Sequence, residues 1–442
     1  MKKIITLLSI FICLKSGFSQ PVAAGGPFSV FICNDSTVYN CVGFNSDSIP
    51  FQITGIQGVK SVSAGLYHIL FLKSDSTVWG IGNGGLLGIG DNITYNSPVQ
   101  IPGLQQIVQV FAGVNHSMFL DVSGTVFVCG SNLSGQLGIG TTVSETPNIT
   151  VVQNLPPIKK INSGGNWFYD QTSFFIGNND ELFACGNNYG RYGNNTIPFS
   201  GTPVNTGFTG IKDVSCGSST ALFLKNDGTV LKTNLNAMAT PIQGIDSVVC
   251  VSSGFDSFHF IRSDKTLWAM GRNYRGQLGL GDTTDRFVPT QVSALQNVLY
   301  VTAEVDDQFG EFSLFVTEDG QIWSCGSNNY GNLGIGNTQD QNLPVAVLCN
   351  CTSILNKTKI LQENPNDLIY PNPTRNNFYI QDYNNQYDHY QLTDISGKCL
   401  QSGKVNPNKL INIENFPKGM YFIYLFNQQN QKLNNYRIIK SE

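Results

Sequence analysis

Residues 62–90 read VSAGLYHILFLKSDSTVWGIGNGGLLGIG, and residues 110–140 repeat the pattern as VFAGVNHSMFLDVSGTVFVCGSNLSGQLGIG. Further copies, some of them looser or incomplete, begin near Ala24, Ile161, Val214, Val251 and Val301. Self-similarity at a period of about 50 residues is typical of an array of one repeated supersecondary unit. The chain is therefore expected to contain seven such units.

Each unit has the pattern of a small antiparallel sheet. In the copy at residues 62–90, the apolar run Ile69–Leu72 predicts a strand buried on both faces, and the polar turn Ser74–Ser76 leads to a second strand at Thr77–Trp79. About 50 residues are enough for four short strands joined by tight turns. Such a sheet cannot cover its own faces, so neighbouring copies must stack on one another.

The sequence thus predicts an all-β fold in which residues 24–348 form a seven-bladed β-propeller. Seven sheets that close on themselves leave few free edges. The alternative is an open solenoid, which would need polar capping units, and neither end of the array looks like one.

The repeats resemble those of the regulator of chromosome condensation family. The shared motifs are G-x-x-H at Gly65–His68 and Gly113–His116, D-G-x-V-x-x-C/W-G, and the turn G-Q-L-G-x-G. This resemblance implies a seven-bladed propeller with a histidine at one position of each unit. In four of the other units we assign that position to Phe28, Trp167, Thr220 and Ser257, with His259 two positions after the last.

The first 19 residues are expected to be a signal peptide. Lys2 and Lys3 precede the apolar run Ile4–Leu14, and small residues stand just before a plausible cleavage point ahead of Gln20. The run is too short to cross a bilayer as a helix, and no later segment is long and apolar enough. The mature protein is therefore expected to have no membrane span.

The C-terminal region changes in pattern after a linker predicted at residues 349–366. Residues 367–442 alternate polar and apolar residues in short runs, such as Phe378–Ile380, and predict a small β-sandwich. They resemble the type A sorting domain of the type IX secretion system. The motif residues are Tyr370, Pro371, Asn372, Pro373, Gly397, Lys398, Gly419, Tyr421 and Lys440.

This second resemblance implies an extracellular destination. It implies export across both membranes of a bacterium that has the type IX machinery, which is then a partner of the tail. The tail would be removed, and the protein would be released or attached to the cell surface.

Charge and composition argue against several classes of function. Residues 21–365 contain 15 Lys and Arg against 24 Asp and Glu, a formal charge of −9, which opposes binding to nucleic acid. The glycine-rich strings recur in most units and do not lead into helices, so they are not phosphate loops. With only four histidines in the chain, and His68, His116 and His259 at or near repeat positions, we expect no metal site, no cofactor and no catalytic triad.

The cysteines are better explained by packing than by chemistry. Cys129, Cys185 and Cys325 each precede a glycine at the same point of a unit, which is typical of a small buried side chain. Cys33 and Cys41 are close in sequence, as are Cys349 and Cys351, but spacing alone leaves their pairing open.

Candidate binding residues lie in the loops after the small-Gly anchors, which are the glycines that end the first strand of each unit. Because these loops are equivalent, they should form a ring at one end of the propeller, and their residues differ in kind from unit to unit. The predicted binding residues are Tyr67, Asn115, Asn166, Trp167, Tyr169, Phe255, Asp256 and Asp306. The alternative is that Tyr67 and Phe255 simply plug the mouth of the channel.

The sequence favours a non-catalytic binding module for a protein or a glycan, secreted or held at the cell surface. One alternative is a polysaccharide hydrolase or lyase, which would need converging carboxylates or a His/Tyr pair in the channel. Another is a surface adhesin. The ligand is not encoded in any motif that we recognise.

Overall fold

The structure is a computed structural model, and it contains two units, Met1–Leu355 and Asn356–Glu442, each described by itself. The residues it describes in the first unit are 20–26, 28–33, 36–42, 48–140, 143–165, 171–194, 198–234, 237–304 and 310–348. Those in the second unit are 369–370, 377–380, 388–394, 398–405, 410–417, 419–427 and 432–440.

The first unit contains seven antiparallel sheets of four strands each, and the strands of each sheet follow one another in chain order. The first strands are β1 (Val22–Gly25), β5 (Val59–Ala64), β9 (Ile107–Ala112), β13 (Ile158–Gly165), β17 (Ile211–Cys216), β21 (Val248–Ser253) and β25 (Val298–Ala303). The second strands are β2 (Phe28–Ile32), β6 (His68–Lys73), β10 (His116–Asp121), β14 (Gln171–Gly177), β18 (Ala221–Lys225), β22 (Ser257–Arg262) and β26 (Phe312–Thr317).

The other two strands of each sheet lie farther from the axis. The third strands are β3 (Val38–Val42), β7 (Val78–Asn83), β11 (Val126–Ser131), β15 (Leu182–Asn187), β19 (Val230–Asn234), β23 (Leu267–Gly271) and β27 (Ile322–Gly326). The fourth strands are β4 (Phe51–Ile53), β8 (Thr94–Gln100), β12 (Glu145–Val151), β16 (Phe199–Asn205), β20 (Ala237–Pro241), β24 (Arg286–Gln291) and β28 (Gln341–Ala346). One short helix, α1 (Gly84–Leu87), forms the glycine-rich turn of the second sheet.

The seven sheets close into a ring, which confirms the predicted seven-bladed propeller. All seven first strands line one central cavity, and β25 of the last blade contacts β1 of the first. The ring is also closed farther out, where the amide of Gly336 donates to the carbonyl of Ser48 at 2.9 Å and the Ser29 hydroxyl donates to the carbonyl of Asn332.

The apolar core lies between the blades. Each of seven buried clusters draws its residues from two neighbouring blades, so every seam between blades is a small hydrophobic core. The second strands supply both faces: Ile69 and Phe71 pack toward the first blade, whereas Leu70 and Leu72 pack toward the third. Stacking therefore buries surface that no single blade could cover.

Two sequence interpretations need correction. The first copy, which we called incomplete, forms a full four-stranded blade of β1 to β4. In the fourth blade, the position equivalent to His68 belongs to Thr172 and not to Trp167, since Thr172 pairs with Gly186 as His68 pairs with Gly82. The loop after the anchor glycine of this blade is longer than those of its neighbours. Counting a fixed number of residues forward from that glycine therefore assigned the wrong position.

The cysteines at the repeat position are buried thiols. The Sγ atoms of Cys129, Cys185 and Cys325 lie 3.2, 3.3 and 3.4 Å from a carbonyl oxygen in the turn of the preceding blade. Burial raises the pKa of all three thiols, so they stay protonated. Cys33 is disulfide-bonded. Cys41 carries a thiol, and this rules out a bond between these two cysteines.

The C-terminal unit has two sheets, as expected for a small sandwich. One contains β29 (Ile369–Tyr370), β30 (Asn377–Ile380) and β33 (Leu410–Asn412). The other contains β31 (His389–Thr393), β32 (Cys399–Lys404), β34 (Gly419–Phe426) and β35 (Lys432–Lys440). Ile411 of the first sheet packs with Leu392 and Ile423 of the second in one buried cluster.

The sorting motif is only partly described. Gly419 and Lys440 lie opposite each other in the β34–β35 pair, and Tyr421 is buried in the sandwich core. The main chain of Lys398 closes a turn with Asp394. Pro371, Asn372, Pro373 and Gly397 fall outside the described residues. None of the helices in the described parts of the chain has the length and apolar character needed to cross a membrane.

Candidate binding site

The anchor glycines bring the ends of the inner strands close together. A Cβ atom on Gly65 would lie 2.2 Å from the carbonyl oxygen of Gly113, and one on Gly217 would lie 2.1 Å from that of Gly254. Because no real Cβ atom comes so close to another backbone, these positions require glycine. The result is a tight ring of backbone at one end of the propeller, which we call the loop end.

The loops that follow the anchors separate into a buried and an outward-facing residue. Leu66, Val114 and Ser218 are buried, and the amide of Leu66 donates to the carbonyl of Val114 at 3.3 Å. The next residues face outward, as Tyr67 does with 43% of its surface exposed. Leu66 and Val114 line the central cavity at the loop end, whereas Tyr67 does not line that cavity. This placement supports Tyr67 as a surface residue over the alternative of a plug.

The outward-facing position is best counted from the strand that follows it. The residues directly before the histidine-equivalent position are Tyr67, Asn115, Gln171, Ser219, Asp256 and Glu311. Gln171 and Glu311 are buried, whereas the other four are half-buried or exposed. Forward counting from the anchor found Tyr67, Asn115 and Asp256, but it missed Gln171 and Glu311, which follow longer loops. The predicted residues Asn166, Trp167, Tyr169 and Asp306 lie in those longer loops, outside the described residues.

The repeat histidines belong to the seams. His68 Nε2 lies 2.8 Å from the Ser117 hydroxyl of the next blade, and His116 lies 3.0 Å from the Gln171 side chain and 3.1 Å from the Ser173 hydroxyl. Burial lowers the pKa of His68 to about 3 and that of His116 to about 4, so both rings are neutral near pH 7. These contacts hold neighbouring blades together.

The central cavity has a volume of about 320 Å³. Toward one end of it, Lys160 pairs with Asp213 at 2.6 Å near the starts of β13 and β17. Glu304 is buried at the other end, directly after β25. These two carboxyl groups lie toward opposite ends and do not converge. No group of three or more His, Cys, Asp or Glu side chains able to hold a metal ion occurs within the described ranges.

A groove of about 700 Å³ lies at the loop end over the seam between the second and third blades. Its inner wall contains two of the predicted binding residues, Tyr67 and Asn115, and its outer wall includes Glu145 at the start of β12. Leu86, Gly85 and Gly130 also line the groove. Sequence reasoning missed Leu86, Ser131 and Glu145, because nothing in the linear repeat places a turn of one blade beside the outer strand of the next.

Two other predicted residues lie in the sixth blade. The Arg272 guanidinium lies 5.7 Å from the Phe255 ring centroid and 5.8 Å from that of Tyr274, and it is 3.6 Å from the Asp256 carboxylate. Asp256 also accepts from the Ser219 hydroxyl of the fifth blade at 3.2 Å. Phe255 and Asp256 thus lie together in a rim of stacked and paired side chains, apart from the groove that contains Tyr67 and Asn115.

Beside this rim, Glu311 of the seventh blade is buried. It accepts a hydrogen bond from Gln277 Nε2 at 3.0 Å, and burial raises the pKa of its carboxyl group to about 7. A carboxyl group in this position is partly protonated at neutral pH.

Similar contacts recur at several seams, and the sequence of the blades matches a known repeat. The match to the regulator of chromosome condensation (RCC1) repeat covers residues 78–120, 123–167, 264–303 and 319–362, with a second form at 59–88 and 107–136. Residues 368–440 match the secretion system C-terminal sorting domain. The chain carries RCC1 repeats and a sorting domain.

The curated relatives are similar over short stretches. The RCC1-repeat region is 40% identical over 77 residues to the ultraviolet-B receptor UVR8 of Arabidopsis thaliana, covering 17% of each chain. It is 36% identical over 103 residues to the protein RCC2 homolog of Danio rerio, covering 23% of this chain and 20% of the relative. These matches span at most a fifth of either relative, so they show the repeat and transfer no activity.

Solved structures show the same fold over most of the chain. Prp20p of Saccharomyces cerevisiae superposes with a TM-score of 0.60 at 17% identity, covering 74% of this chain and 87% of that one. Human WBSCR16 gives a TM-score of 0.59 at 20% identity, covering 68% and 84%. At this identity the likeness concerns the fold alone. The sorting domain indicates export by type IX secretion.

Proposed function

We propose that this RCC1-repeat propeller is a secreted or surface-held module that binds an extracellular protein or glycan through its loop end, without catalysis. One observation carries the proposal. The seam serines Ser117, Ser173 and Ser313 make the same contact in three blades, with their hydroxyls donating to a carbonyl of the preceding turn at 2.6, 2.7 and 2.9 Å. The residues directly before the histidine-equivalent positions of the same blades all differ: they are Asn115, Gln171 and Glu311.

Packing explains why the seam contacts recur, but it does not explain why the residues at the loop end differ. Positions that serve only the fold should recur, because every seam solves the same packing problem. The outward-facing residues Tyr67, Asn115, Ser219 and Asp256 instead present a phenol, an amide, a hydroxyl and a carboxylate around one end of the ring. A rigid scaffold that displays different side chains on equivalent loops is a common basis for selective binding.

The central cavity gives little support to the hydrolase or lyase alternative. Its Asp213 is paired with Lys160, and Glu304 lies toward the opposite end. Two carboxyl groups that act on one glycosidic bond must flank it at short distance. The cavity as described has no such pair, and this favours a binding role.

The test of binding uses the exported protein purified from culture. Immobilised wild-type protein and a variant with Tyr67→Ala, Trp167→Ala and Phe255→Ala are exposed to surface extracts of neighbouring cells and to soluble polysaccharides. We expect a ligand that is retained by the wild type and lost from the triple variant. Phe287→Ala is the control, since Phe287 is 88% exposed on the outer strand β24. Equal capture by the triple variant would refute the proposal.

The type IX machinery is the proposed partner of residues 367–442. Removing this segment should leave the propeller inside the cell envelope, whereas the full chain should reach the medium or the cell surface. Immunoblots of the periplasm, outer surface and medium measure this. Export of the shortened chain at the wild-type level would contradict it.

A further inference from the structure

The groove between the second and third blades is lined by a leucine at a position where two other blades carry glutamine. In the third and sixth blades, the glycine-rich turn carries Gln136 and Gln277. Leu86 occupies the same position in the second blade, because the Leu86 carbonyl accepts from Ser117 as the Gln136 carbonyl accepts from Ser173. The backbone role is retained and the side-chain amide is lost.

That amide has a defined partner where it is present. Gln136 Nε2 donates to Gln171 Oε1 at 3.3 Å, and Gln277 Nε2 donates to Glu311 Oε2 at 3.0 Å. In both cases the acceptor is the residue directly before the histidine-equivalent position of the next blade, and it is buried. The glutamine therefore bridges the seam and engages the residue at the loop end.

At the seam between the second and third blades, this side-chain bridge cannot form. The equivalent outward-facing residue is Asn115, and an aliphatic Leu86 side chain offers it no donor or acceptor. Among the described residues, the Asn115 side chain has no hydrogen-bond partner, and neither do the side chains of Ser131 and Glu145 in the same groove. The groove thus contains an amide, a hydroxyl and a carboxylate that form no hydrogen bond with any described residue.

We propose that this groove binds a neutral saccharide, with the Tyr67 ring as the stacking surface and Asn115, Ser131 and Glu145 as partners for sugar hydroxyls. This inference rests on the proposed binding function and specifies its ligand class. A volume of about 700 Å³ is within the usual range for ligand sites.

The chemistry of the lining favours this class. An amide both donates and accepts, and a carboxylate accepts at two oxygens, so together they match adjacent hydroxyl groups. A half-exposed tyrosine offers an apolar ring face to the C–H face of a sugar. Among the described residues, the lining includes Glu145 but no lysine or arginine, so an acidic polysaccharide would bring like charges together without compensation.

The decisive variant is Leu86→Gln, which introduces the residue that the third and sixth blades carry at this position. Its longer, unbranched side chain should reach the Asn115 amide and form the bridge that the third and sixth blades have. We expect its thermal unfolding temperature to equal or exceed that of the wild type while saccharide binding is lost. A variant that folds well and does not bind separates engagement of Asn115 from loss of structure.

The experiment measures retardation of the exported protein in native gels that contain a soluble polysaccharide. The neutral probes are mixed-linkage glucan, glucomannan, xyloglucan and starch, and the acidic probes are alginate and polygalacturonate. We expect retardation by at least one neutral probe and by neither acidic one. The dissociation constant should rise at least tenfold in Tyr67→Ala, Asn115→Ala and Leu86→Gln, and stay unchanged in Phe287→Ala.

Different results would refute the saccharide site and the proposed binding function. Absence of retardation by every neutral probe, or retardation that persists in all three groove variants, would overturn the saccharide site. If the groove variants lose a protein ligand instead, the binding function stands and the saccharide inference fails. If no loop-end substitution alters any captured ligand, both proposals fail.

Discussion

Gly217 illustrates how single residues set the geometry of the ring. A larger side chain there would meet no flexible neighbour that could move aside, because the nearest atom to an added methyl group would be a backbone oxygen of the next blade, at 2.1 Å. Backbone at the axis can move only by widening the ring. The glycine is required for close approach and not for a special backbone angle.

Gly217→Ala is therefore expected to lower the free energy of unfolding by about 1–3 kcal/mol, as overpacking of a rigid site does. Chemical denaturation followed by intrinsic fluorescence measures the change. The matched control is Gly201→Ala, where the nearest atoms to an added Cβ lie 3.9 Å away in the flexible Phe199 side chain. Similar stability losses in the two variants would contradict the argument from close approach.

Glu311 gives a second prediction at the scale of one residue. Burial raises its pKa from 4.5 to about 7, so between these values the folded state holds a proton that the unfolded state has released. The free energy of unfolding should fall as pH rises through this window, by up to about 3 kcal/mol, and change no further above it.

Glu311→Gln should remove this dependence and stabilise the protein at pH 8, since the amide oxygen can still accept from Gln277. Denaturation at pH 5, 6, 7 and 8 measures the effect. Glu318→Gln is the control, because its carboxylate is 53% exposed. The explanation fails if the wild-type and Glu311→Gln curves have the same slope between pH 5 and 7.

At the scale of elements, the seam is the repeating unit of stability. Ser173 joins two blades, because its hydroxyl donates to the Gln136 carbonyl at 2.7 Å and lies 3.1 Å from His116 Nε2. Each blade contributes one side of two such seams. The glycine-rich turn of one blade thus contributes to the stability of the next blade.

Ser173→Ala is expected to cost about 1–3 kcal/mol, since it leaves the buried His116 nitrogen without this partner. Thermal unfolding by calorimetry measures the loss. Ser200→Ala is a suitable control, because its hydroxyl bonds locally at an exposed site. A loss below a few tenths of a kcal/mol would show that the seam hydrogen bonds contribute little to stability.

At the scale of the whole molecule, closure joins the first blade to the seventh. The seam cluster contains Val22 and Phe31 of one and Phe312 and Leu333 of the other, so the ends of the array stabilise each other without exchanging a strand. The disulfide at Cys33 adds a covalent constraint to the first blade.

Reduction should therefore lower the unfolding temperature, because a disulfide typically contributes about 2–4 kcal/mol. In an unreduced digest, cleavage before Asp35 separates Cys33 from Cys41, and we expect Cys33 in a cross-linked peptide and Cys41 in a peptide that takes an alkylating agent. A Cys33 that alkylates without reduction would contradict the structure. Three cysteines of the sequence, Cys13, Cys349 and Cys351, lie outside the described residues, and mapping can identify the partner among them.

The sequence by itself determined the number and class of the sheets, the buried second strands such as β6, and the sandwich of the tail. These follow from local periodicity and from repetition, which are readable along one chain. It also located Tyr67 and Asn115, because their loops have the common length. It misplaced the equivalent position in the fourth blade, where a longer loop precedes Thr172.

Only the tertiary structure decided what lies across each seam. The turn at Leu86 and the loop at Asn115 belong to different blades, and their proximity depends on how blades stack around the axis. Whether a polar side chain is hydrogen-bonded or available to a ligand depends on the residues that the neighbouring blade places beside it. Local sequence specifies a blade, whereas the groove is made by two blades together.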